Sequence, residues 1–205
     1  MIVDGYTVFR LLEHGVMPLR RLHAERLGPG ASAALQVFSA DAAPGLYRAR
    51  WDGSTLTATP RGPSRLRDGL PTRLAVSPFA HLVGRFPKPA PPSPYDSVRL
   101  DDFATLLTDP SGTRLYESCV AGLVAWDGER LVVPPDEAPA VASVAERAVL
   151  EHLAPRRAPL WVSADWPLLL VNAAVGTCAV ASPGRSPFPA AARARLDDLL
   201  RSESV

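Results

Sequence analysis

Lysine is all but missing from this 205-residue chain: Lys88 is the sole lysine, and every other basic residue is arginine. Cysteine is scarce too. Cys119 and Cys178 stand far apart without metal-ligand spacing, which excludes a disulfide framework and a cysteine-rich zinc site. Both are expected to be core residues. Net charge is nearly missing, at +1, so there is no electrostatic case for binding nucleic acid or an anionic membrane. No nucleic-acid motif or internal repeat occurs, and no apolar run reaches the ~18 residues of a membrane span. Met1 to Gly5 lack the basic-then-apolar layout of a secretion signal. The expectations are a cytoplasmic protein with no nucleic-acid and no membrane partner.

What is present is an ordinary globular composition, 47% hydrophobic and 21% charged, in a chain long enough to bury a real core. Against its arginine background, the retained lysine suggests work that a guanidinium cannot do. Burial can strip an ammonium of its proton and leave a nucleophilic amine, whereas arginine stays charged. A solvated loop lysine accounts for the composition equally well.

Along the chain, residues 3–12 read as a strand, and 18–27 as a helix stopped by Gly28-Pro29-Gly30. Residues 31–38 read as a short helix, and 45–50 with 54–59 as a hairpin across Asp52-Gly53. Residues 74–76 form a further strand. Residues 85–94 are dense in proline and read as an extended linker. A short helix is expected at 97–102 and strands at 103–108 and from Arg114. Two more strands, 119–126 and 130–133, flank Asp127-Gly128. Ser143-Val144-Ala145-Glu146 fits a capping box within a helix at 141–153. Short strands at 168–171 and 177–181 precede an amphipathic helix at 189–201. The fold class is α+β in two lobes: a small N-terminal α/β lobe (1–84), a proline-rich linker bearing Lys88 (85–96), and a larger β-rich C-terminal lobe (97–205).

Several pieces fall into one order. His23-Ala24-Glu25-Arg26-Leu27 comes first, then Lys88 with Tyr95, then Glu117 ahead of the Asp127-Gly128 hairpin, then Leu131 to Pro135 with the Ser143 helix start, and finally Asn172-Ala173. This order resembles the class IV aminotransferase family, the fold-type IV pyridoxal-phosphate enzymes. The likeness covers nearly the whole chain, although no single piece is specific. It implies pyridoxal 5'-phosphate as cofactor and Lys88 as the residue that bonds to the cofactor aldehyde and moves the substrate proton. It implies that Glu117 faces the pyridine nitrogen. Arg26, the amides of Val144 and Ala145 behind the Ser143 cap, and the Asn172-Ala173 turn would hold the phosphate. Tyr95 either serves this site or packs against the linker, and His23 is expected to be structural.

The resemblance further implies a homodimer acting on a small amino acid or an amino-substituted cyclic acid. Asn172-Ala173, and Cys119 two places after Glu117, are most similar to the aminodeoxychorismate lyase branch, which makes 4-aminobenzoate for folate synthesis. A transaminase stays open, as does a relative that has lost catalysis and serves as a binding or assembly protein. The departures are Ser143 and Glu146 where the family has glycine and arginine, Gly122 in place of a strand asparagine, and Ala173 in place of a hydroxyl residue. Glu146 is expected to fold back onto the Ser143 amide while its charge weakens phosphate binding, so that Glu146→Arg would tighten it.

Overall fold

The computed structural model of the chain describes residues 5–89, 92–181 and 186–203. Residues 3 and 4 of the first expected strand, and 90 and 91 of the proline-rich segment, lie outside the described residues.

The N-terminal part holds β1 (Gly5–Leu11), α1 (Arg20–Leu27), α2 (Ala31–Asp41), β2 (Gly45–Trp51) and β3 (Leu56–Arg61). The three strands form one antiparallel sheet in the order β1-β2-β3. Strand side chains alternate between faces, so the register decides what each face carries. Phe9, Leu11, Tyr47, Ala49 and Trp51 bury against Leu27, Ala31 and Leu35 of the helices. Each such large side chain contributes roughly 1.5–3 kcal/mol. On the opposite face Val8 pairs with Arg48, and Arg61 with Leu46.

The rest of the chain forms β4 (Leu70–Val76), β5 (Arg85–Phe86), β6 (Ala104–Thr108), β7 (Arg114–Ser118), β8 (Gly122–Trp126), β9 (Leu131–Val133) and β10 (Ala140–Val141). Then come α3 (Val144–Leu153), β11 (Arg156–Arg157), β12 (Leu160–Trp161), β13 (Leu168–Asn172), β14 (Gly176–Ala181) and α4 (Ala190–Arg201). Nine of these strands make a curled sheet in the order β11-β9-β8-β13-β14-β4-β6-β7-β12, and β5 pairs with β10 separately. Both faces of its central strands, β8 and β13, are buried. Val124, Leu169 and Val171 pack under α3 and α4, while Leu123, Ala125, Leu168 and Leu170 fill the core on the other side.

Three local features differ from the sequence expectation. β4 precedes the proline-rich segment yet pairs in parallel with β6 and β14, so the change of sheet falls between Arg61 and Leu70. The expected helix at 141–153 starts at Val144, because Ser143 is an extended N-cap and Ala140–Val141 is claimed by Arg85–Phe86 as a parallel strand. No helix forms at 97–102. A single 3-10 turn, Pro94–Ser97, takes its place, set by Pro94 and a capping box of Ser93 with Asp96. Among the described residues no helix is long and apolar enough to cross a membrane, and no His, Cys, Asp and Glu cluster suits a metal ion.

Candidate active site

A small cavity of about 60 Å³ opens where the two sheets meet α3, and Lys88 reaches its wall. Arg26, Tyr95, Glu117, Ser143, Val144, Asn172 and Ala173 line it as well, with His23 and Gly122. Of the residues singled out in the sequence, Ala145 is set apart: its side chain is 1% exposed and packs in the core beneath α3. Val141 and Val8 join the wall without any signal in the sequence, and Cys119, expected in the core, is only partly buried and lines the cavity, whereas Cys178 is in the core as expected.

Lys88 is half-buried, and its Nζ lies 5.3 Å from the centre of the Tyr6 ring. Burial, and then the positive charges of Arg26, Arg61 and Arg48, push its pKa down to about 8, against the pull of Glu117. An appreciable share of the amine is therefore unprotonated near neutral pH.

Glu117 owes its direction to an irregularity in β7. The register against β6 slips by one residue between Leu107 and Thr108, leaving Tyr116 as an extra residue. Simple alternation would put Leu115 and Glu117 on one face; with the bulge, Leu115 stays in the core while Glu117 turns to the cavity. One carboxylate oxygen accepts from the Tyr95 hydroxyl and the other from the Val141 amide at 3.0 Å. Burial lifts the carboxyl pKa to about 7, although both hydrogen bonds pull the other way. Burial and the adjacent carboxylate hold the Tyr95 phenol far above its ordinary range, so Tyr95 is the donor.

The lining also brings Arg26, His23 and the start of α3 together. The Arg26 guanidinium donates to the Ala142 carbonyl, which places its charge just ahead of α3. Ser143 Oγ accepts from the Glu146 amide at 3.4 Å, while the amides of Val144 and Ala145 open the helix and have no intrahelical acceptor. His23 is fully buried, with Nδ1 2.7 Å from Thr7 Oγ1 and its ring 5.7 Å from that of Phe9. Burial drives its pKa down to about 3, so it is neutral. Its Nε2 is buried and has no partner among the described residues. The Asn172 side chain is committed to the turn after β13: Nδ2 donates to the Val120 carbonyl at 2.6 Å, and Oδ1 accepts from the Ala174 amide at 2.9 Å.

Glu146 departs from the sequence expectation. Its carboxylate does not return to the Ser143 amide. Instead it is 4% exposed and paired with Arg85, which also donates to the Ala138 carbonyl at 2.9 Å. Arg85 arrives there through the β5–β10 pairing, a contact that spacing along α3 cannot reveal. A Cβ added at Gly122 would stand 3.3 Å from Val171 Cγ2 and 3.5 Å from Glu146 Cβ. The glycine and the glutamate, two separate departures in the sequence, are thus one packing arrangement. Glu146→Arg would set two guanidinium groups against each other at a buried site, so a gain in phosphate affinity does not follow.

No protein-family model matches the chain, and no curated protein sequence matches it significantly. Solved structures do. A hypothetical aminotransferase from Mycobacterium tuberculosis in its PLP-bound form is 20% identical, with a TM-score of 0.69, over 98% of this chain and 90% of that one. A 4-amino-4-deoxychorismate lyase from Pseudomonas aeruginosa is 18% identical, with a TM-score of 0.64, over 97% and 90%. A fold IV transaminase from Curtobacterium pusillum is 14% identical, with a TM-score of 0.61, over 98% and 85%. The chain therefore has the fold-type IV aminotransferase fold along nearly its whole length, as its motif order implied.

Proposed function

We propose that the chain is a pyridoxal 5'-phosphate-dependent lyase or aminotransferase of class IV, with Lys88 as the residue that carries the cofactor. The observation behind this reading is that the sole lysine, its amine made partly neutral by burial, shares one cavity with a buried carboxylate and an anion-binding helix start. The residues present fit the cofactor. The Arg26 guanidinium and the first amides of α3 supply donors for a phosphate, and the orphaned His23 Nε2 joins them in the tautomer whose Nδ1 accepts from the Thr7 hydroxyl. Glu117 supplies the carboxylate that a protonated ring nitrogen needs, and that positive partner would draw it to its ionised form.

When bound, the cofactor supplies an electron sink for breaking a bond beside the substrate amino group. Lys88 Nζ is the base that takes and returns the proton there, since a pKa of about 8 lets it do both near neutral pH. Tyr95 donates its hydroxyl hydrogen to Glu117 and so fixes the carboxylate that faces the ring. Val141 holds the second oxygen. Because Arg85 neutralises Glu146, that carboxylate no longer opposes a phosphate at α3.

Within this class, Asn172-Ala173 and Cys119 favour an elimination of the aminodeoxychorismate lyase kind, and a cytoplasmic homodimer accompanies the reading. The test is spectroscopic. Pyridoxal phosphate added to the purified protein should give a visible absorption band that borohydride bleaches, and Lys88→Arg should give none. A band of equal strength in Lys88→Arg would assign the cofactor elsewhere.

A further inference from the structure

Several parts of the site trace back to one short ladder, β5 against β10. β5 ends at Phe86, and Lys88 follows two residues later. On the other strand, Val141 gives its amide to Glu117. Its neighbour Ala142 donates to the Phe86 carbonyl at 2.9 Å and offers its own carbonyl to Arg26. Ser143 then caps α3. The Phe86 ring lies 4.7 Å from that of Phe79, which lies 4.9 Å from that of Tyr95, the donor to Glu117. Amine, carboxylate and helix start thus depend on the same two residue pairs, Arg85 with Ala140 and Phe86 with Val141.

Two residue pairs are too few to hold a register by themselves, and parallel pairing is the weaker kind. The Arg85 side chain supplies what the ladder lacks. Nη1 donates to the Ala138 carbonyl at 2.9 Å, and Nη2 donates to the Pro134 carbonyl at 3.3 Å and to the Glu146 carboxylate. One planar group therefore ties β5 to the segment entering β10 and to the first turn of α3. Glu146 balances its charge where the two side chains are only 17% and 5% exposed. Stability alone does not call for such a pair, because well-packed apolar residues at a buried site are commonly as stable. What apolar residues lack is a fork of donors with fixed directions.

We propose that Arg85, with Glu146 as its counter-charge, is a positioning residue: it locks β5 onto β10 and so holds Lys88, the Glu117 carboxylate and the start of α3 in one register. Arg85 touches neither the amine nor the Glu117 carboxylate and acts through the backbone of the ladder. This inference deepens the reading of the Lys88 site and rests on it for what the register is held for.

The test begins with the cofactor-free protein and amide hydrogen exchange read residue by residue. In the unaltered protein the Val141 and Ala142 amides should exchange within about tenfold of those of the core residues Val124 and Leu169. Exchange at the rate of an exposed loop would overturn the proposal, a comparison that needs no variant to fold. Arg85→Met with Glu146→Leu removes both charges and should keep the urea midpoint. In that double variant Val141 and Ala142 should exchange about tenfold faster or more, with Val124 and Leu169 within about twofold of the parent. Arg85→Lys, which keeps the charge but not the fork, should fall between the two. Unchanged Val141 and Ala142, or a uniform acceleration of all four amides, would overturn the positioning role. Pyridoxal phosphate is then titrated into the same proteins and followed by its visible band. The double variant should need about tenfold more cofactor, or beyond, for half-saturation. Equal half-saturation despite a loosened ladder refutes the positioning role alone. A ladder that behaves as expected in a protein that shows no band refutes the cofactor reading alone.

Discussion

Glu117 titrates near neutrality because it is buried, and the direction of that shift fixes its effect on stability. Its pKa is about 7 in the folded chain against roughly 4.3 when unfolded. Between those values the native state keeps a proton that the unfolded state releases, so this group's contribution falls as pH rises and is flat above about 7. His23 acts in the opposite sense: its folded pKa of about 3 makes stability grow from there to roughly pH 6.5. Subtracting the curve of Glu117→Gln from that of the unaltered protein removes the histidine. In urea unfolding without cofactor, that difference should decline by about 3 kcal/mol between pH 4.5 and 7.5. Parallel curves would place Glu117 in water rather than in the cavity. Lys88 was visible in the sequence through composition alone. Glu117 was named there by its place in an order of motifs, but its inward direction depends on the extra residue in β7, which period-two alternation cannot show.

At the scale of elements, α3 shows where local reading ends. Ser143 as its cap was legible, because the capping bond spans three residues and needs nothing from elsewhere. The partner of Glu146 was not, since Arg85 lies 61 residues away and is brought in by a two-residue parallel pairing. The same long-range pairing removed residues 140–141 from the expected helix. Breaking a buried ion pair from one side leaves a charge without its counterpart, so Glu146→Arg should lower stability by about 3 kcal/mol or more. Replacing both partners, as Arg85→Met with Glu146→Leu, should recover most of that loss. Urea midpoints of the single and double variants decide this. A Glu146→Arg variant as stable as the parent would mean the pair is solvated and the folded-back geometry deserves to be restored.

For the whole molecule, the order of weak motifs carried more than any one of them. Hairpins at Asp52-Gly53 and Asp127-Gly128, the helix after Pro18 and the strand-rich second half were readable because each depends on neighbours in sequence. The sheet to which β4 belongs was not, because a parallel strand declares its partner only through distant pairing, here with Ala104–Thr108 and the end of β14. The arginine face turned towards Lys88 likewise emerges only once the register of three strands is known. In the proposed function, the three-stranded and nine-stranded sheets hold one amine, that of Lys88, against a carboxylate and an anion site. With a single lysine in the chain, the α-amino end is the main competitor for an aldehyde cofactor. Borohydride reduction of the protein saturated with pyridoxal phosphate, followed by peptide mapping, measures this directly. One pyridoxyl group on the peptide containing Lys88 is the expected result; an unmodified Lys88, with the group on the α-amine or absent, would contradict it.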